Sequence, residues 1–549
     1  MQAKNSRAVS RFSETAVITM VSSVLVDALS DPTHALLELY DANQDIDNFP
    51  AKVTAHFANI FASSDAFCEI APLHAALPLK NDRCLVSFRG MIQDTSPSPE
   101  MYLAKRGSGQ CGGWGLADDA SPTDSVDYAH LRENTVVWAV SIPGESPWVA
   151  QEMDGANASV PSLLPLPESH PHKFPLHGVP HLGVQVKVYD ASRAELLKST
   201  DAVTMVGILT MEPMTAELES PNAVVVPTLH VLFSRPLPLT IVPRVYPYSP
   251  ASSTFQKLRE DLISWIADEG LGGDRVAAEW VLLSVIAKVQ SRTPAILPPS
   301  LTLSRFPPPN SESFSTPSLC TVLSHLLPIV VTLPLSLEVL NNTPFSPESK
   351  NEDLHSGTLQ LPRGSICVVT EGGITEGGVF DRGILNLRAM QDMMAGQTLE
   401  YIFPFSRFAF QTDVAFLVLS EGKKSTFFQT NVNVPLQLTT IGELYNPPEK
   451  VKIPPHEVLA MFRDLVGGAK MGSVTVGEPV AERTSWPRER PPPVAGAVTS
   501  DDLIHRMTVA RLLTLSMHQS EVSIEIWERV KALEKTRETR LNIIGRVAR

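Results

Sequence analysis

Hydrophobic and polar positions along this chain change period several times, and each change marks a change of architecture. Between residues 20 and 75 the apolar positions of SSVLVDAL, HALLELY and AKVTAHFANIFA recur with helical spacing, and Val53, Phe57, Ile60 and Phe61 share one face. From Arg83 the pattern turns to strands. CLVSFRGMIQD sets bulky residues at Leu85, Phe88 and Ile92, with Gly90 as a bulge position, and EMYLAKR and TVVWAVSI follow. Strands resume at GVQVKVYD and at DAVTMVGILTMEP, where Gly207 sits to bend a strand of a small curved barrel, and VVVPTLHVLF closes the block near residue 235. Helical spacing returns over 253–268 and 274–290, the second helix with Asp274 as its N-cap after a Gly-Gly stop. LTLSRF (301–306) reads as a buried strand, and LCTVLSHLLPIVV begins like an apolar helix at Leu319. Ile366–Val369 and Val414–Leu419 are apolar on both faces, which suits central strands of a parallel sheet covered by helices. At the far end Ser500 caps a helix with Asp501 and Asp502 in its first turn and Leu503, Met507, Ala510, Leu513 and Met517 on one face. A second helix, from about Ser523, uses Ile526, Val530 and Leu533.

With 549 residues the chain is too long for one core. The periodicity divides it into an N-terminal extension and helical region (1–75), a strand-rich block (76–240) interrupted by flexible insertions at 106–127 and 151–182, an α/β block (250–475), a Pro-rich linker (476–499) and a helical tail (500–549). The formal charge of −14 repels nucleic acid on average, so any such contact needs a local basic patch. Five widely spaced cysteines with no CxxC pair argue for a reducing compartment and against a disulfide framework or structural zinc site. The apolar run Ala16–Val26 is shorter than the ~20 residues that span a bilayer and reads as an ordinary first helix.

The segment between LTLSRF and Leu319 is where a P-loop protein carries Gly-x-x-x-x-Gly-Lys-Ser/Thr, whose amides and lysine cradle phosphates. This chain has PPPNSESFSTPS there; proline donates no amide hydrogen, and no lysine is present. Ile366, Cys367, Val368, Val369, Thr370 and Glu371 follow the Walker B pattern of four apolar residues before an acidic pair, in which carboxylates hold magnesium and polarise water. The first acidic position is Thr370, which lacks the charge; Glu371 alone remains. Other signals reduce to structure. Pro143-Gly144-Glu145-Ser146-Pro147-Trp148 lacks the last glycine of a nucleophile elbow and reads as a turn. His170, His172, His177 and His181 crowd a proline-rich stretch that offers no rigid scaffold for a metal and reads as a solvated linker. Gly422-Lys423-Lys424-Ser425 lacks the earlier glycine and reads as an exposed loop, and the basic tail from Arg529 to Arg549 reads as a solvated helical face. No catalytic, cofactor or metal-ligating residue is assigned, and no membrane partner is expected.

Six stretches taken together resemble the mini-chromosome maintenance (MCM) complex-binding protein family: FRGMIQDTSPSPEMYL (88–103), SIPGESPWV (141–149), VKVYDAS (186–192) with VGILTMEP (206–213), DRVAAEWVLLSVIA (274–287), LQLPRGSICVVTEGG (359–373) and the tail over 501–541. The resemblance implies an oligonucleotide/oligosaccharide-binding (OB) barrel, a degenerate ATPase-like domain of the AAA+ type and a C-terminal helical lid. It further implies a nuclear, non-enzymatic replication factor that binds subunits of the MCM helicase and assists their assembly, exchange or unloading from chromatin, with a role in sister-chromatid cohesion. Thr370 departs from the family, and the 106–127 and 151–182 segments and the extension to about Met20 are this chain's own. Two other readings stand beside it. One is an active ATPase with an unconventional loop. The other is single-stranded DNA binding through the barrel, for which Phe88, Tyr102 and Trp138 supply aromatics but not charge.

Overall fold

The computed structural model describes residues 23–43, 47–77, 83–106, 109–116, 127–154, 170–214, 224–237, 245–247, 252–309, 316–373, 376–439, 444–478, 480 and 500–547. Residues 16–22 of the first apolar run, residues 310–315 of the proline-filled loop and most of the 476–499 linker lie outside these.

Five strands form the first module: β1 (Leu85–Asp94), β2 (Leu131–Ser141), β3 (Gly183–Val188), β4 (Ala202–Pro213) and β5 (Val225–Pro236). β1 pairs antiparallel with both β2 and β4, β2 with β3, and β4 with β5, while β3 runs parallel to β5. The circuit therefore closes into a barrel and leaves no open edge among these five strands. Two glycines let the strands approach. A Cβ on Gly207 would lie 2.2 Å from the His230 carbonyl oxygen, and the β4–β5 register shifts between Val206 and Gly207. Gly90 leaves room for the Phe88 ring and the Val140 carbonyl, but the bulge expected there falls two residues later, between Ile92 and Asp94.

Three helices, α1 (Ser23–Ser30), α2 (Pro32–Asn43) and α3 (Phe49–Ile60), share a core with the outside of the barrel. Val53, Phe57 and Phe61 are buried against it as their spacing predicts, whereas Ile60 is half-buried. The same core takes in part of the 106–127 insertion, expected to be flexible. Trp114 is 2 % exposed, stacks on Tyr189 at 4.3 Å and donates its indole N–H to the Val231 carbonyl.

The second module is a parallel sheet of β6 (Leu301–Ser304), β7 (Val330–Pro334), β8 (Ser365–Thr370), β9 (Val414–Ser420) and β10 (Val432–Pro435), in the order β7-β8-β9-β6-β10. Alternation along β8 divides its side chains between two cores. Ile366 and Val368 join the core that contains α4 (Ser252–Gly270), α5 (Arg275–Ile286), α6 (Ser318–Leu326), α8 (His456–Met471), α9 (Ser500–Ser516) and α10 (Ile524–Val547). Cys367 and Val369 face the other core, with α7 (Asp381–Gly396) and a hairpin over Thr398–Phe403 and Ser406–Gln411. The run from Leu319 divides because Pro328, which has no N–H to donate, stands between the end of α6 and the start of β7. α5 ends at Ile286 rather than 290, and beyond it the Val289 amide donates to the Asp413 carboxylate. Among the described residues no helix is long and apolar enough to cross a membrane.

Segment 143–148, a turn in sequence, joins the two modules. The Gly144 carbonyl accepts from Val330 N at 2.8 Å, Ser146 donates from its amide to Pro328 and from its hydroxyl to Leu327, and the Trp148 indole reaches the Ser324 carbonyl at 3.0 Å. Arg463 of α8 lies over the Trp148 ring at 3.9 Å. Nearby, Gln93 of β1 and Gln360 exchange buried hydrogen bonds, and Gln360 also meets Ser199 and Tyr401.

Candidate functional site

Parallel sheets bind ligands beyond the carboxyl ends of their strands. Here that edge is formed by the exits of β6, β8 and β9, and each exit is occupied by the chain itself. After β6, Arg305 turns through a left-handed conformation (φ 58°). Its amide and that of Phe306 then donate to Gly422 and Ser420 at 2.9 Å each. These two bonds hold the first residues after β6 against the end of β9.

The amino end of α6 is the place where a P-loop helix offers free amides to phosphate. Ser318, its first residue, donates its amide to the Leu444 carbonyl at 2.8 Å, and its hydroxyl accepts from Asn446 N at 2.8 Å. Between those two anchors Tyr445 packs edge-on against Phe306 and donates its hydroxyl to the Pro307 carbonyl at 2.8 Å. Burial, reinforced by the nearby Glu421 charge, pushes the Tyr445 phenol up to about 12. Ser318 is fully buried, so a phosphate would have to displace the 444–446 segment to reach its amide.

β8 carries the Walker B-like residues. Ile366, Cys367, Val368 and Val369 are all buried as sheet core, and burial pushes the Cys367 thiol up to about 12. Thr370 is half-buried and its carbonyl accepts from Leu335 N. Glu371 is 6 % exposed, and both of its oxygens are engaged: Oε1 accepts from the Ser425 hydroxyl at 2.5 Å and Oε2 from the Thr426 amide at 3.0 Å. Its two hydrogen bonds hold the Ser425–Thr426 loop against the end of β8. That loop includes Gly422–Ser425, whose lysines are exposed as expected. Ser425 was visible in sequence only as part of the Gly422–Ser425 loop read as exposed, and Thr426 and Leu444–Asn446 not at all, because each acts on a partner more than fifty positions away with no local motif.

Other candidates resolve differently from their sequence readings. The histidine segment is not a solvated linker over its described part: Lys173 is 1 % exposed and lies between Asp94 (3.1 Å) and Asp353 (2.5 Å), and His181 stacks on Phe174. The basic tail is largely paired, with Arg529 on Glu260 and Glu279, Arg537 on Glu534, and Arg540 bidentate on the α5 cap Asp274 at 2.7 and 2.9 Å. Asp274 itself caps α5 by accepting from Val276 and Ala277. The aromatics considered for stacking bases are not free either. Phe88 and Trp138 are buried, and Tyr102 meets Trp114 and Tyr189 edge-on.

Comparison with known proteins gives the same family throughout. The chain is 25% identical over 565 residues to the mini-chromosome maintenance complex-binding protein of Arabidopsis thaliana, covering 88% of this chain and 92% of that protein. The protein of that name from Salmo salar is 24% identical over 630 residues, covering 94% and 97%. The Homo sapiens one is 25% identical over 440 residues, covering 71% and 65%. The family model described as mini-chromosome maintenance replisome factor matches residues 165–541. That span is well over half of the chain, and the chain belongs to this family.

Proposed function

We propose that this chain is a non-enzymatic binding factor for subunits of the MCM helicase, and that its sheet module is an ATPase-like body of the AAA+ type kept for its shape. The observation that carries the reading is the strand–loop–helix frame of β6 and α6 with its phosphate seat filled by Leu444–Asn446 and its remaining acid, Glu371, tied to Ser425 and Thr426. The names of the relatives add the partner, since each is called a mini-chromosome maintenance complex-binding protein. The sheet order supports the ATPase likeness: β9 alone separates β6 from β8, so the P-loop position and the Walker B position face each other across one strand. The five-stranded circuit with β3 parallel to β5 supports an OB-like barrel, and α9 and α10, packed on the sheet's helical face, correspond to the lid.

A body of this shape fits the subunit–subunit face that a working ATPase would occupy in a ring, while contributing no hydrolysis to it. Assembly, exchange or unloading of helicase subunits from chromatin in the nucleus, and a part in sister-chromatid cohesion, extend the same proposal. Two measurements test it. Affinity purification of the tagged full chain from cell extract is expected to recover MCM subunits as its main partners, and their absence would defeat the proposal. Calorimetric titration with magnesium–ATP is expected to show no saturable heat, and tight magnesium-dependent binding would defeat the shape-only reading of the sheet module.

A further inference from the structure

One group of side chains outside the sheet edge has the chemistry of a ligand site. His172, Asp353 and His355 bring one imidazole nitrogen or carboxylate oxygen each to within 4.8 Å of one another, and they are the group among the described residues with metal-ligand composition and spacing. Asp353 and His355 lie two apart on the short strand Asp353–His355, so alternation puts them on one face, with Leu354 buried on the other. His172 arrives from the barrel side, in the one-turn helix Pro171–Lys173. The backbone already fixes the approach, since the Ser356 amide donates to the His172 carbonyl at 2.8 Å. The His172 and His355 rings lie 4.2 Å apart, and His172 Nε2 is 2.8 Å from Asp353 Oδ2.

Charge and donor type select the ligand. Lys173 is shared by Asp94 and Asp353, so this local set of one lysine and two carboxylates carries one uncompensated negative charge with the imidazoles neutral. Lys173 takes Oδ1 of Asp353 and leaves Oδ2 facing the histidines, an arrangement that holds a ligating carboxylate in place. Two imidazoles and a carboxylate are the donors of an open zinc-type site, whose bonds are about 2.0–2.2 Å long. Ligand atoms on such an ion lie about 3.3 Å apart, so the His172–Asp353 contact opens by a few tenths of an ångström when the ion replaces the proton between them. The side chains of His172 and Asp353 are 34% and 21% exposed, which leaves a fourth position to water and a route of entry.

We propose that His172, Asp353 and His355 bind a single divalent transition-metal ion of the zinc type, which ties the barrel to the sheet module. His355 is the variant of choice. Among the described residues it is held by its ring contact with His172, with no side-chain hydrogen bond, so its loss leaves the fold in place. The full chain, stripped with a chelator, is titrated with zinc by calorimetry near neutral pH, beside H355A, H172A/H355A, the remote control H34A and the thiol control C68S. The expected result is one equivalent bound, at least tenfold weaker in H355A, absent in the double variant and unchanged in both controls. Cobalt in place of zinc is expected to give visible bands without thiolate charge-transfer absorption. Failure of the parent chain to bind, equal affinity in H355A, loss of binding in C68S, or a thiolate band would each overturn the site.

Discussion

At the scale of single residues, Lys470 is a buried cation whose hydrogen bond goes to a backbone carbonyl rather than a carboxylate. It is 6 % exposed at the end of α8, and its ammonium donates to the Gly364 carbonyl at 2.6 Å. Burial lowers it to about 8 from an ordinary 10.5, and Lys288 adds to that shift while Asp413 opposes it. Between those two values the unfolded chain holds a proton that the native chain has released, so this residue makes stability rise with pH across that window. The slope is on the order of 1 kcal/mol per pH unit. K470M removes it. Thermal midpoints measured from pH 8 to pH 10 should climb in the parent relative to K470M, and parallel curves would show that Lys470 keeps its proton on folding. Asp353 gives a slope of the same sign at acid pH, but for the opposite reason, because the fold favours its charged form. Burial would raise its carboxyl, but the hydrogen bond from His172 and the charge of Lys173 outweigh burial and hold it well below the usual range.

At the scale of elements, the turn over 143–148 carries the contact between barrel and sheet, and Gly144 is its narrowest point. Its φ of +73° and a Cβ position 2.5 Å from the Val331 side chain and 2.8 Å from the Val330 carbonyl leave no room for alanine. G144A should cost about 1–3 kcal/mol through the left-handed backbone alone, before the clash is relieved. It should open this junction, which limited proteolysis of the folded variant would register as faster separation of the two modules. Unchanged cleavage would mean that the remaining contacts, Gln93–Gln360 and Lys173–Asp353 among them, suffice to hold them. Periodicity made most of the elements legible: the helical faces of α3 and α10, the two-sided strands β8 and β9 and the cap Asp274 follow from spacing and residue type. What spacing could not separate was an apolar helix from the strand directly behind it, so β7 was hidden after α6. Short strands such as β10, and the hairpin after α7, acquire their identity from neighbours supplied by distant sequence. That the segment between β6 and α6 lacks the glycines and lysine of a phosphate loop was readable because these are local facts of sequence. The means by which the site is closed was not, because Leu444–Asn446 and Ser425 act across the fold.

At the scale of the whole molecule, the distribution of charge decides whether the barrel reads DNA. Binding to single strands needs a cationic groove lined with aromatic faces. The chain carries a formal charge of −14, and its densest basic stretch, along α10, spends Arg529, Arg537 and Arg540 on internal carboxylates. On the barrel, Lys187 lies between Glu100 and Glu212, and Arg89 is committed to Glu145. Phe88 and Trp138 point into packed cores, and α1–α3 cover part of the outer barrel surface. Each of these cations already has its counter-charge, so moving it to a phosphate would break an existing pair and release fewer counterions than a free lysine would. The field of the remaining acids opposes the encounter from a distance. Fluorescence anisotropy of a labelled single-stranded oligonucleotide should therefore show affinity weaker than about 10⁻⁴ M at physiological salt, below the ordinary non-specific range. Micromolar binding that falls steeply as salt rises would instead require a cationic face on the folded chain and would make nucleic acid a ligand of it.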